Sequence, residues 1–178
     1  MASPLDWNLV VTAHGGRRHD LIYALRPIVR LRRAGYSEVL TGKVDDLETC
    51  LAGIAARADA TFSAEVLARV VPVARSFALV ADLEAQLRAE TATFLDALVD
   101  QSFHVRVERR GHRRIVQSDR LERMLGTALV EALQARGVTP RVTFKDPDVI
   151  LAVELIGEMG GVGLVPRDLR TRYAFVRL

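Results

Sequence analysis

The chain has 178 residues, with 25 Lys and Arg against 22 Asp and Glu, a net charge of +3 and a pI of about 9.5. With 49% hydrophobic and 26% charged residues and a mean hydropathy of +0.13, it has neither the depleted apolar content nor the extreme charge of a disordered chain. The length allows one well-filled core or two small adjoining ones, which excludes an extra catalytic domain within these residues.

Trp7 to Ala13 is a short apolar run rich in β-branched residues that stops at His14-Gly15-Gly16, and reads as a buried strand. From Arg17 to Ala34 the residues Leu21, Ile22, Leu25, Ile28, Val29 and Leu31 keep a roughly helical period with arginines opposite, ended by Gly35. Pro27 predicts a kink or break inside that helix. Ser37 to Thr41 reads as a brief strand, and Asp45 to Ala58 as a second helix with Leu47, Leu51 and Ile54 on one side. Leu67 to Phe77 is strand-like, but Pro72 cannot donate to a ladder and points to an edge or a bulge. A long amphipathic helix from Asp82 to Val99 repeats Leu83, Leu87, Phe94, Leu95 and Leu98, and the composition shift before it sets a boundary at residue 80.

Phe103 to Glu108 alternates strictly, so Phe103, Val105 and Val107 face a core while His104, Arg106 and Glu108 face away. The helix from Ser118 to Arg136 carries the stripe Leu121, Leu125, Leu129 and Leu133, with Ser118 as its expected N-cap and Gly137 as its terminator. Asp148 to Ile156 is almost continuously apolar, the mark of a central strand covered on both faces. Glu158 to Gly161 would turn it, and Val162 to Val165 would return as its antiparallel neighbour. The whole is an α/β alternation in two unequal halves, residues 1–80 and 81–178.

Chemistry concentrates in the arginines, for Lys43 and Lys145 are the only lysines. A guanidinium forks onto phosphate oxygens, although a GC-rich genome produces the same preference. Arg106, Arg109, Arg110, His112, Arg113 and Arg114 surround Gly111 just before a helix start. Free N–H groups and the positive dipole end at Ser118 would complete a phosphate site, with a solvated basic turn as the plainer reading. Arg167, Arg170, Arg172 and Arg177 form a second group, and Arg17 and Arg18 a weaker third.

Gly160-Gly161-Val162-Gly163 lacks the ending of a P-loop and the following helix of a dinucleotide fingerprint, and reads as a hairpin turn. Glu154, inside an apolar strand, is expected to pair structurally with Arg106, because a buried charge needs a partner. Cys50 reads as a small buried side chain rather than a reactive thiol. Four histidines and one cysteine show no metal-ligand spacing, and no nucleophile, CxxC or HExxH arrangement occurs, so neither cofactor nor metal is expected. The N-terminus lacks a signal-peptide pattern and no run approaches the ~18 apolar residues that span a bilayer, so a cytoplasmic protein without membrane contact is expected.

The stretch Gln101-Ser102-Phe103-His104-Val105-Arg106-Val107-Glu108-Arg109-Arg110-Gly111-His112 resembles a THUMP domain. The likeness continues through Ser118 with Glu122, Leu125-Gly126, and Asp146-Pro147-Asp148 to Leu155. Gly161-Val162 and Arg172-Tyr173-Ala174-Phe175 resemble the domain's end in the accessory proteins of tRNA cytidine acetylation. The first half, including Ala68 to Val73, resembles more loosely the ferredoxin-like domain that precedes THUMP.

The resemblance implies an N-terminal ferredoxin-like α/β half over 1–80 and a THUMP-type α/β domain with a mixed sheet over 81–178. The implied function is a tRNA-binding adaptor, itself no enzyme, that presents the acceptor-end region to a separate enzyme such as an RNA acetyltransferase. Arg106, Arg109, Arg110, His112, Arg113, Arg114, Ser118, Arg167, Arg170 and Arg172 are the expected RNA contacts, with no DNA partner. The alternatives are an RNA-binding fragment of a larger tRNA-modification enzyme and a small-molecule or protein interaction domain. A complete enzyme would need Glu154 or His104 at its centre.

Overall fold

The β-branched run after Trp7 becomes β1 (Leu9–Ala13), the strand around which the first half is built. The computed structural model describes residues 6–60, 65–111 and 117–178. Helix α1 covers only Arg18–Leu25, where a helix to Ala34 kinked or broken at Pro27 is expected. Pro27 cannot continue the hydrogen-bond ladder, and the chain leaves through β2 (Leu31–Arg33), which runs antiparallel to β3 (Val39–Gly42). Helix α2 (Leu47–Ala60) follows as expected.

The strand foreseen over Leu67 to Phe77 divides at Val73 and Ala74 into β4 (Leu67–Pro72) and β5 (Arg75–Ala78). The pieces belong to different sheets. The first sheet has the order β2-β3-β1-β4, so Pro72 does end an edge strand, where its missing N–H costs little. Helix α3 (Leu83–Ala92) starts at Asp82, whose carboxylate accepts the Ala85 N–H at 3.0 Å. It stops earlier than the apolar period suggested, and Leu95–Leu98 forms a separate 3-10 turn. Thr91 and Thr93 donate back to the carbonyls of Leu87 and Glu90, at 2.7 Å each, competing with the regular ladder.

The second sheet is built by β6 (Ser102–Arg110), α4 (Ser118–Ala135), β7 (Arg141–Val142), β8 (Val149–Ile156) and β9 (Met159–Pro166). Its order is β5-β9-β8-β6-β7. β6 is parallel to β7 and β8, and β9 antiparallel to β8 and β5, so the sheet is mixed. The expected fold class, a ferredoxin-like α/β half followed by an α/β domain with a mixed sheet, is what these strands form. The parallel β6–β8 pair needs a crossover, which α4 supplies. Gly137, at φ +75° with its N–H on the Gln134 carbonyl at 2.9 Å, terminates that helix. Short α5 (Arg167–Arg172) closes the chain's last turn.

Every residue of β8 is buried, as its apolar run foretold. Ala152 and Ile156 face the first core, while Leu151, Val153 and Leu155 face the second with Phe103 and Leu125. The expected glycine turn is a correction: the hairpin turns at Gly157-Glu158, and Gly160, Gly161 and Gly163 lie inside β9. A Cβ on Gly161 would strike the Trp7 indole, and one on Gly163 would lie 2.6 Å from the Val73 Cα. These glycines let the two sheets approach. Sheet membership also crosses residue 80, since β5 joins the second sheet and Val176 bridges to Val70 in the first.

Candidate nucleic-acid interface

β6 divides the basic cluster. Its odd residues Phe103, Val105 and Val107 are buried in the second core, and its even residues point toward the first sheet or the rim. Arg110 ends the even row. Its guanidinium is paired with Glu154 and its side chain is 12% exposed, while Glu154 is 0% exposed. The partner of Glu154 is therefore Arg110 and not Arg106. Glu108 stands between them in register with Glu154, and Arg106 turns instead to Glu108 at 3.6 Å and Glu122 at 3.5 Å.

The first sheet adds Arg69 of β4, 3.1 Å from Glu108, so an alternating group Arg69, Glu108, Arg110, Glu154 joins the two halves. Burial alone would raise the Glu108 carboxyl, yet Arg69, Arg110 and Arg106 hold it below its usual value. Burial pushes Glu154 above the usual carboxylate range, against the pull of Arg110 and Arg69. Both carboxylates serve the structure.

Arg109 takes the opposite course. Its Nε donates to the Ser118 hydroxyl at 3.2 Å, and it has no acidic partner among the described residues. Ser118 is the first residue of α4 and not its N-cap; Gln117 holds the cap position without a side-chain cap bond. Since β7 pairs with β6 only at Ser102 and Phe103, the rest of that edge carries no strand, and Glu122 accepts the Val107 N–H at 2.9 Å. Arg106, Arg109, Gln117, Ser118 and Glu122 line a polar groove of about 710 Å³ along this edge. His112, Arg113 and Arg114 lie outside the described residues.

The C-terminal arginines are elsewhere and engaged. Arg167 binds Asp148 at 2.8 Å and Asp146 at 3.1 Å, and Arg170 bonds the Pro147 carbonyl at 2.5 Å with Asp146 at 3.8 Å. Arg172 holds Glu48 at 2.5 Å, and Arg177 caps the Ala68 carbonyl at 2.9 Å. They tie α5 and the tail down and do not merge with Arg109 into one basic face. Sequence reasoning passed over Arg26, Arg30 and Arg32, which are exposed and whose side chains have no partner among the described residues. The helical period across Arg17 to Ala34 places such arginines on a polar face, whereas the structure ends that helix at Leu25. Among the described residues no group of His, Cys, Asp and Glu is arranged to hold a metal, and no helix is long and apolar enough to cross a membrane.

Residues 84–165, which include β6, α4, the open edge and β8, match the THUMP domain model, so the chain contains a THUMP domain there. Comparison with curated proteins finds no match. Among solved structures, TrmN from Thermus thermophilus is 22% identical with a TM-score of 0.60, covering 94% of this chain and 48% of that one. A 4-thiouridine synthetase in complex with RNA and bound ATP is 12% identical with a TM-score of 0.52, covering 89% and 41%. A chain described as a predicted N6-adenine-specific DNA methylase from Listeria monocytogenes is 16% identical with a TM-score of 0.56, covering 89% and 40%.

At these identities the likeness is one of fold, and the present chain spans less than half the length of each of the three. It nevertheless corrects one expectation. The reading that the protein is no enzyme gives way, because this arrangement occurs within chains named as a synthetase and a methylase.

Proposed function

We propose that the chain binds tRNA through the open edge of β6 and the start of α4, as the RNA-binding portion of a tRNA-modification enzyme. The observation that carries this reading is the position of Arg109 and the polar groove inside the residues that match the THUMP domain. The RNA bound in the 4-thiouridine synthetase structure supports the same ligand class. Arg109 and the free N–H groups at the start of α4 contact phosphates, and Arg106 stands beside them. Arg110 is left out because Glu154 neutralises it, and Arg167, Arg170 and Arg172 because acids neutralise them.

Phosphate contacts release counterions, so affinity for tRNA should fall log-linearly with salt. A salt titration of the purified protein against tRNA tests this. Binding that is absent at low salt, or insensitive to salt, would overturn the proposal.

A further inference from the structure

The charges along the polar groove do not suit a phosphate by themselves. Among the described residues that line it, Arg106 and Arg109 are cations, whereas Glu108, Asp119 and Glu122 are anions. A site for phosphate needs the opposite balance, because like charges brought together repel. Asp119 lies in the first turn of α4, where the positive end of the helix dipole offsets its charge. Glu122 accepts the Val107 N–H at 2.9 Å and stands 3.5 Å from Arg106. Glu108 is the third anion, and it stays ionised. Burial would raise its carboxyl, but Arg69 above all, then Arg110 and Arg106, hold it below its usual value.

The cation that answers Glu108 comes from the other half of the molecule. Arg69 of β4 donates to one Glu108 oxygen at 3.1 Å, and its side chain is 21% exposed against 46% for Arg106. β4 is itself fixed on both sides. Arg69 stands opposite Thr12 of β1, and the Phe175 carbonyl of the tail accepts the neighbouring Val70 N–H at 2.8 Å. Arg106 lies 3.6 Å from the other Glu108 oxygen, too far for a hydrogen bond, and so remains turned to the groove.

We infer that Arg69 is a positioning residue for tRNA binding: by holding Glu108 it removes one negative charge from the phosphate groove and keeps Arg106 from closing on that carboxylate. Without Arg69, the guanidinium already at hand is Arg106, and an ion pair formed there takes it away from the RNA. The inference rests on the tRNA-binding reading and adds that the first half sets the charge of a groove it does not line.

Salt titrations of tRNA binding by the full chain test it, with circular dichroism to confirm folding. Arg69→Met should weaken binding most at low salt and flatten the log–log slope by about 0.7–0.9, the loss of Arg106 as one phosphate contact. Adding Glu108→Gln to Arg69→Met should restore the wild-type affinity and slope, because no carboxylate is then left to claim Arg106 from the β6 side. If Arg69→Met does not fold, Arg69→Gln, which can still hydrogen-bond Glu108 without neutralising it, replaces it with the same expectation. A folded Arg69 variant with the wild-type slope overturns the inference. So does a double variant that keeps the deficit, for Arg69 would then touch the RNA itself or act through stability alone. Either result leaves the tRNA-binding reading standing. If the wild type does not bind tRNA at low salt, both fall.

Discussion

Arg109 and Arg110 are neighbours in the chain and belong to two different regions of the molecule. Arg110 points into the seam between the sheets, where it neutralises a fully buried Glu154, while Arg109 points to the open edge beside the start of α4. A run of arginines on a strand is therefore not one surface, because successive side chains leave on opposite sides. The sharpest way to break this contrast is at the seam. Arg110→Met strands the Glu154 charge and should cost about 3 kcal/mol or more by urea denaturation, since breaking a buried pair removes compensation without removing desolvation. Arg110→Met with Glu154→Met should recover most of that loss. If the single variant is as stable as wild type, the seam pair does not hold the halves together.

The glycines divide along the same line. A Cβ on Gly163 in β9 would lie 2.6 Å from the Val73 Cα, so Gly163→Ala must push the two sheets apart and should cost about 1–3 kcal/mol. Gly126, on α4, has no such neighbour, and Gly126→Ala should stabilise by up to about 1 kcal/mol through helix propensity. Thermal melts of the two variants should shift in opposite directions. Shifts of the same sign would mean that β9 is not packed as closely as its glycines indicate.

The seam also carries a pH dependence. Because burial raises the folded-state value of Glu154 above its ordinary 4.5, the group's stabilising contribution is present below that value and is lost as pH rises through the raised one. Wild type should therefore lose stability relative to the Arg110→Met, Glu154→Met variant as pH climbs from about 4.5 toward neutrality. A constant difference across that range would mean the pair titrates alike in folded and unfolded states.

Much of this was legible in the chain, for reasons that differ by element. The stripe Leu121, Leu125, Leu129, Leu133 and the run of β8 are long, periodic and locally self-consistent, so α4 and the central strand could be read directly. The N-terminal arginine segment misled because three-residue β2 is too short to impose a period of two, and the apolar positions around Pro27 imitate a helix. Gly160, Gly161 and Gly163 looked like a turn because the reason for them, Trp7 and Val73, lies far away in sequence. The site suffered in the same way. The expected Glu154 partner, Arg106, proves to be Arg110, because both arginines lie on its face and only the position of Glu122 and Glu108 shows which is drawn away. The C-terminal arginines pair with Asp146, Asp148 and Glu48, and no sequence rule pairs residues 124 positions apart.

The smallest expected change in stability comes at the open edge, and it sharpens the comparison most. Arg109→Ala removes one 3.2 Å hydrogen bond to Ser118 and no ion pair, so stability should stay within about 0.5 kcal/mol of wild type. If Arg109 meets a phosphate, one counterion fewer is released on binding, and the log–log salt slope for tRNA should flatten by about 0.7–0.9. The weakening should be similar for tRNAs of different sequence, since phosphates carry no sequence information. Arg167→Ala is the matched control: Asp146 and Asp148 already satisfy that guanidinium, so its loss should leave the slope as it is. Parallel salt titrations of the two variants, with circular dichroism to confirm folding, decide the matter. If Arg167→Ala flattens the slope and Arg109→Ala does not, the RNA surface follows the acid-paired C-terminal arginines, and the open edge of β6 is an ordinary solvated rim.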